Sequence, residues 1–91
     1  MRSLQKGRRE HSEIILEVMA LCATGHYGIT AIMYRVYLSY FQGRRYLDAL
    51  QSLGFVVKNE QAHYQLTTRG QVMYSQLQAA VEVCRRVRAR P

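Results

Sequence analysis

The chain has 91 residues, a net charge of +7 and two cysteines, Cys22 and Cys84. This length predicts one domain with a small core, marginally stable unless a partner covers more of its apolar surface. No apolar run approaches the ~20 residues of a membrane span. The basic start lacks the apolar stretch of a signal peptide, which predicts a cytoplasmic protein with reduced thiols and no disulfide framework.

Positive charge is concentrated at the two ends of the chain. The basic residues there are Arg2, Lys6, Arg8 and Arg9 at the start and Arg85, Arg86, Arg88 and Arg90 at the end. These ends could be solvated tails that keep the protein soluble. Alternatively they supply contacts to nucleic-acid phosphates, whose strength falls steeply with salt. On that interpretation, Arg8 and Arg9 are candidate DNA contacts.

An amphipathic helix is predicted over residues 10–23, with acidic side chains near its positive N-terminal end. Its apolar face comprises Ile14, Ile15, Val18, Met19 and Cys22. Residues 24–28 include two glycines and end this helix. A second, shorter helix follows, for which Thr30 is the expected N-terminal cap and Ile32 and Val36 face inward.

The segment after the second helix is the most informative part of the chain. Ser39 and Gln42 have the spacing of a Ser-x-x-Gln capping box, which predicts a third helix from Ser39 to Leu53. Gly54 is placed to end that helix in the left-handed conformation. A second short helix that carries Arg44 and Arg45 directly after the first predicts a DNA-binding helix-turn-helix.

Strand-forming residues follow in two runs, 55–59 and 63–66, which predict a β-hairpin with residues 60–62 as the connection. The connection lacks an Asn-Gly or Asp-Gly pair, so the register stays open. Thr67 then caps a last helix over about residues 68–89. The expected fold class is mostly α with a small β-hairpin, a winged helix-turn-helix ordered helix, helix, helix, hairpin, helix.

Specific residues make the chain resemble a known family. They are the run Ile32-Met33-Tyr34-Arg35, then Leu38-Ser39-Tyr40, Tyr46-Leu47, Leu50, Leu53-Gly54 and Tyr64-x-Leu66-Thr67-x-Arg69-Gly70. Over roughly residues 10–84 the chain resembles the small archaeal winged helix-turn-helix DNA-binding proteins, some of them chromatin-associated and dimeric through a long C-terminal helix. The resemblance implies a homodimer that binds double-stranded DNA, as a transcriptional regulator or a nucleoid-associated protein.

The resembling proteins usually carry a bulky apolar residue where this chain has Gly43, which faces inward on the third helix. We expect either a neighbour such as Tyr40 or Tyr46 to fill the gap, or a backbone to pass unusually close.

The last helix carries an apolar a/d pattern typical of a coiled coil. The candidate dimerisation residues are Met73, Leu77, Ala80, Val81, Cys84 and Val87. The apolar arc is broader than a helix needs to pack on its own domain, which favours a twofold dimer. The alternative is that the helix wraps across the first helix within one subunit. The chain thus divides into a basic arm (1–9), a winged-helix domain (10–67) and a dimerisation helix with a basic tail (68–91).

Helical periodicity separates the buried and outer faces of the third helix. The candidate DNA contacts at its N-terminal half are Ser39, Tyr40, Phe41, Gln42, Arg44 and Arg45. Arginine can pair with guanine and glutamine with adenine, whereas Phe41 offers only apolar contact, for example to a thymine methyl. The arginines could equally bind phosphates, and Phe41 could pack on a neighbouring surface. In the hairpin, Lys58 is the expected phosphate ligand.

Other functions have weaker support in the sequence. The three histidines lack a clustered nucleophile or carboxylate, so we expect neither an enzyme nor a cofactor. Cys22 and His26, four residues apart, could belong to a metal or redox sensor, but no second ligand pair accompanies them and we predict no metal site.

A winged helix used for protein or RNA binding is the other alternative. Tyr34, Tyr37 and Tyr40 are closely spaced and could stack on bases, although tyrosines more often line a core with the hydroxyl at its edge.

Overall fold

Four helices and one antiparallel hairpin make up residues 10–89, the part of the chain that the structure describes. In this computed structural model the elements are α1 (His11–Thr24), α2 (Ile29–Val36), α3 (Tyr40–Ser52), β1 (Val56–Lys58), β2 (Tyr64–Leu66) and α4 (Thr68–Ala89). The predicted fold class and element order are confirmed. None of these described helices is long and apolar enough to cross a membrane. The predicted contacts Arg8 and Arg9 lie outside the described residues.

The start of α3 is fixed by the predicted capping box. The backbone N–H of Gln42 donates to Ser39 Oγ at 3.1 Å, and the N–H of Ser39 donates to Gln42 Oε1 at 2.9 Å. The cap predicted for α2 is wrong, because the helix begins at Ile29 and Thr30 lies in its first turn. Gly28 is the cap residue there, since its carbonyl already accepts the N–H of Ile32 at 3.1 Å.

A tight turn joins α2 to α3. Tyr37 takes the left-handed conformation with φ 60° and ψ 52°, and the N–H of Leu38 donates to the carbonyl of Met33 at 2.9 Å. The turn directs Tyr37 into solvent and Leu38 into the core. At the other end of α3, Gly54 has φ 82°, as the sequence predicted.

The hairpin pairs Val56 with Leu66 and Lys58 with Tyr64. Its loop covers residues 59–63 and is longer than predicted, because the side chain of Asn59 organises it. Asn59 Oδ1 accepts the N–H groups of Gln61 at 2.9 Å and of His63 at 3.0 Å. A further pairing was not predicted: the N–H of Tyr64 donates to the carbonyl of Tyr27 at 2.8 Å.

The core lies between α1, α2, α3 and the hairpin. Its buried side chains are Ile14, Val18, Met19, Cys22, Ile32, Val36, Leu38, Leu47, Leu50, Val56 and Tyr64. The gap expected at Gly43 is filled from α2: a Cβ there would lie 3.2 Å from Met33 Cγ and 3.7 Å from Ile29 Cγ1. The expectation that Tyr40 or Tyr46 fills it, or that a backbone passes close, was wrong.

The long helix α4 packs along α1 and is joined to the rest of the fold at both ends. At its start, Thr67 Oγ1 accepts the N–H of Gly70 at 2.9 Å and donates its own proton to the carbonyl of Gly54 at 2.6 Å. This confirms Thr67 as the cap. Near its end, Arg88 Nη2 lies 2.9 Å from Glu10 Oε2. The bond from Thr67 to the carbonyl of Gly54 ties the start of α4 to the end of α3.

Candidate nucleic-acid interface

One side of α3 is open to solvent along its whole length. Gly43, Leu47 and Leu50 are buried, and α3 packs mainly against α2 and β1. The opposite side, here called the outer face of α3, consists of Phe41, Arg45, Asp48, Ala49 and Ser52, all exposed. Helical periodicity alone predicts the same two sides. Because the outer face is exposed, α3 can contact another macromolecule.

The polar candidates at the start of α3 differ in how free they are. Gln42 is held by the cap, which occupies its Oε1 and leaves its side-chain N–H₂ group to donate. Arg44 Nη2 lies 3.2 Å from Asp48 Oδ1, so this arginine is already paired. No carboxylate within residues 10–89 pairs with Arg45, which is exposed. Arg45 is therefore the cation of α3 most available to a phosphate or a base.

A shallow groove of about 340 Å³ separates α1 from α3. It is lined by His11, Ile15, Gln42, Arg45, Tyr46 and Ala49. The imidazole Nδ1 of His11 and the hydroxyl of Tyr46 share a hydrogen bond of 2.6 Å across this groove. This bond fixes the start of α1 against α3 and leaves Arg45 at the edge of the groove.

Four aromatic side chains are exposed around the turn between α2 and α3. Tyr34 is 76% exposed, Tyr37 85%, Tyr40 55% and Phe41 78%; we call them the aromatic surface. Tyr34 and Tyr37 were predicted as possible base-stacking side chains in the protein- or RNA-binding alternative, but not as contacts to duplex DNA, and neither lines the core. The signal that would have found them is the helical period of α2, which buries Ile32 and Val36 and so turns position 34 outward.

The wing contributes little positive charge. Lys58 is exposed, and its Nζ lies 5.9 Å from the centre of the Tyr64 ring. Within the loop 59–63 the charged side chain is Glu60. A phosphate contact by the wing therefore depends on Lys58.

The residues predicted for dimerisation occupy three different environments on α4. Val81 is only 6% exposed, so its own chain already covers it. Met73 and Leu77 are half-buried, and Leu77 lines a small groove against α1. Ala80, Cys84 and Val87 are exposed.

A continuous exposed stripe runs along the side of α4 that faces away from α1. It consists of Val72, Ala79, Val83 and Val87, and we call it the valine stripe. Its spacings of seven, four and four residues keep it on one side of the helix.

Cys22 does not suit a metal or redox site. Its side chain is buried, and burial raises the pKa of the Cys22 thiol to about 11. A thiol that stays protonated is a poor ligand and a poor nucleophile. Within residues 10–89, no three side chains of the types that bind metals come together.

Comparison with known proteins agrees with this architecture. The winged helix-turn-helix family matches residues 8–84. An uncharacterised protein of Methanocaldococcus jannaschii is 33% identical over 76 residues, which cover 84% of this chain and 77% of that protein.

Two solved structures show the same fold. Sso10a-2, a DNA-binding protein from Sulfolobus solfataricus, has a TM-score of 0.78 at 21% identity, over 89% of this chain and 87% of that one. A MarR family transcriptional regulator from Silicibacter pomeroyi has a TM-score of 0.66 at 18% identity, over 77% of this chain and 53% of that one. Together with the family match, the fold and the archaeal relative show that the chain belongs to the winged helix-turn-helix family.

Proposed function

We propose that the protein binds double-stranded DNA as a homodimer, with α3 in the major groove, as a transcriptional regulator or a nucleoid-associated protein of the cytoplasm. The observation that carries the proposal is the exposed outer face of α3, on which Arg45 has no acidic partner within residues 10–89. The fold shared with Sso10a-2, which is described as a DNA-binding protein, supports it.

The residues at the start of α3 would make different kinds of contact with DNA. The helix N-terminus favours phosphate, because its free N–H groups and dipole are positive. Arg45 would pair with guanine or hold a phosphate, and Arg44 would contribute only after leaving Asp48. Ser39, Tyr40 and Gln42 would add hydrogen bonds, with Lys58, Arg8 and Arg9 on phosphates.

We propose binding rather than catalysis, with no cofactor. The groove beside α3 holds His11 and Tyr46, which are hydrogen-bonded to each other. Neither a nucleophile with its base nor a pair of carboxylates accompanies them among the groove residues.

The dimer would form through the exposed side of α4. A contiguous apolar strip on a small protein marks an interaction surface. The proposed interface combines the valine stripe with Ala80 and Cys84, and Met73 and Leu77 lie at its edge. We leave out Val81, because it faces its own chain.

Removing the free arginine tests the proposal directly. If Arg45 contacts a base, Arg45→Ala should weaken duplex binding by about 5- to 150-fold, the equivalent of about 1–3 kcal/mol. If Arg45 holds a phosphate, the slope of log affinity against log salt should become shallower by about 1. The measurement is fluorescence anisotropy over a salt series.

Arg69→Ala is the charge-matched control, because Arg69 is exposed at the start of α4 and belongs to none of the proposed contacts. It should change neither the affinity beyond a small factor nor the salt slope. Binding of Arg45→Ala that matches wild type in both quantities would remove α3 from the interface.

A further inference from the structure

The outer face of α3 offers more apolar surface than positive charge. Phe41, Arg45 and Ala49 follow each other at intervals of four residues, and all three are exposed. The phenyl ring of Phe41 is 78% exposed, and it has no group that forms a hydrogen bond. At the four-residue spacing, both neighbours of Arg45 on this face are therefore apolar, and Asp48, which lies on the same face, is paired with Arg44.

The other two arginines near this face have partners within the chain. Arg44 is paired with Asp48, and the guanidinium of Arg35 lies 5.0 Å from the centre of the Tyr27 ring. Tyr34 and Tyr37 are exposed beside the turn, and a tyrosine hydroxyl can donate to a phosphate without adding charge. A duplex on this surface would meet Arg45, the ion pair of Arg44 and Asp48, uncharged hydroxyls and two apolar side chains.

Only one base presents an apolar group in the major groove. Thymine carries a 5-methyl group there, and the side chains that contact it in known complexes include alanine and phenylalanine. A ring as exposed as Phe41 gains free energy when it is covered. In the groove, thymine methyls are the apolar surface that can cover it.

We propose that the protein prefers A·T-rich duplexes because Phe41 and Ala49 contact thymine methyl groups in the major groove. This inference rests on the proposed function and adds the class of DNA that α3 recognises. It makes Phe41 the specificity-determining residue and Arg45 an anchor.

The test compares duplexes that differ only in that methyl group. An A·T-rich duplex is prepared once with thymine and once with deoxyuridine, which forms the same base pair but lacks the 5-methyl. Wild type should bind the thymine duplex more tightly by about fourfold for each methyl contacted. A G·C-rich duplex with 5-methylcytosine, which places a methyl at the same ring position, should bind more tightly than its unmethylated form.

Phe41→Ala should bind the thymine duplex more weakly than wild type does. It should discriminate less between the thymine and uracil duplexes, because only the smaller contact from Ala49 remains. Its fold is checked by circular dichroism, and the exposure of Phe41 predicts no change. Tyr34→Ala is the matched aromatic control, and it should weaken binding to both duplexes by the same factor.

Equal affinity of wild type for the thymine and uracil duplexes would overturn the inference. So would a Phe41→Ala variant that keeps the full discrimination, or a Tyr34→Ala variant that loses it. In all three cases duplex binding itself persists, and the proposed function stands. Failure of wild type to bind any duplex would overturn the proposed function, and this inference with it.

Discussion

Cys22 is the side chain whose chemistry the fold changes most. It lies in the core beside Val18 and Met19 of the same helix, with 3% of its surface exposed. Burial disfavours the thiolate, and the pKa of the thiol rises from 9.0 to about 11. At neutral pH the residue therefore acts as a small apolar side chain.

This shift predicts that stability falls in alkaline solution. Between pH 9 and about 11 the unfolded thiol has lost its proton and the folded thiol keeps it. The folded state thus binds more protons in that window, so the free energy of unfolding should fall as pH rises, by up to about 2–3 kcal/mol. Below pH 9 the contribution is complete. Urea titrations across this range measure it.

Cys22→Ala should show a smaller loss of stability across the same pH range, because other titrating groups contribute equally to both proteins. Cys84→Ala is the control, since Cys84 is exposed, and it should follow wild type. An identical pH profile for wild type and Cys22→Ala would rule out the shifted thiol as the cause.

At the scale of the elements, α3 and α4 each contain a glycine, and the two positions differ in the space available for a side chain. Gly43 in α3 faces the flexible side chain of Met33, and Gly70 in α4 faces backbone. A Cβ on Gly70 would lie only 2.0 Å from the carbonyl oxygen of Phe55. The first turn of α4 can approach the start of the hairpin this closely only because position 70 has no side chain.

Alanine substitutions at the two positions should therefore diverge. Alanine favours a helix over glycine by up to about 1 kcal/mol. Gly43→Ala should keep part of that gain, since the Met33 side chain can shift, and its stability should equal wild type or exceed it slightly. Gly70→Ala should lose about 3 kcal/mol or more, because a carbonyl group cannot move away.

Denaturant unfolding of the two variants gives the comparison, and each serves as the control for the other. Similar stability changes at both positions would contradict the difference in packing between α3 and α4.

The helices and the hairpin also show which features could be predicted from the sequence. The caps of α3 and α4 were predicted because Ser39 and Thr67 bond to groups only three residues away. The ion pair between Arg44 and Asp48 was missed, although spacing of four residues on a helix could have revealed it. The pairing of Tyr27 with Tyr64 could not be predicted, because it joins distant segments through a single bridge.

The candidate site was predictable to a similar degree. Periodicity placed Phe41 and Arg45 on the outer face of α3, and the structure puts both there. It could not show that α4 turns Val81 toward α1, because the apolar arc of α4 is broad and its pattern does not mark which part packs on the same chain. Only the packing of α4 on α1 shows which part that is.

For the whole molecule, the valine stripe is the surface through which we propose that two copies assemble. Val83 is 59% exposed and lies on the side of α4 that faces away from α1. Buried in a dimer, such a stripe would add the apolar area that a chain of this length lacks on its own.

Val83→Glu should convert the proposed dimer to a folded monomer, because it would bury a charge in the interface without disturbing the subunit. Light scattering gives the mass, and circular dichroism the helix content. Leu77→Glu is a less selective choice, since Leu77 also lies against α1. Gln78→Glu adds the same charge at an exposed position outside the stripe and should leave the mass unchanged. A Val83→Glu protein with the mass of a dimer would exclude the valine stripe as the interface.

The hydroxyl of Thr67 links the end of α3 to the first turn of α4. It donates to the carbonyl of Gly54 and accepts the N–H of Gly70. Within one chain α3 is thus anchored to α4, the helix through which two chains would join. Two copies held together along α4 would present their α3 helices at a set separation, with little freedom to pivot. Such an assembly would bind best where its two half-sites lie one turn of the double helix apart, about 34–36 Å.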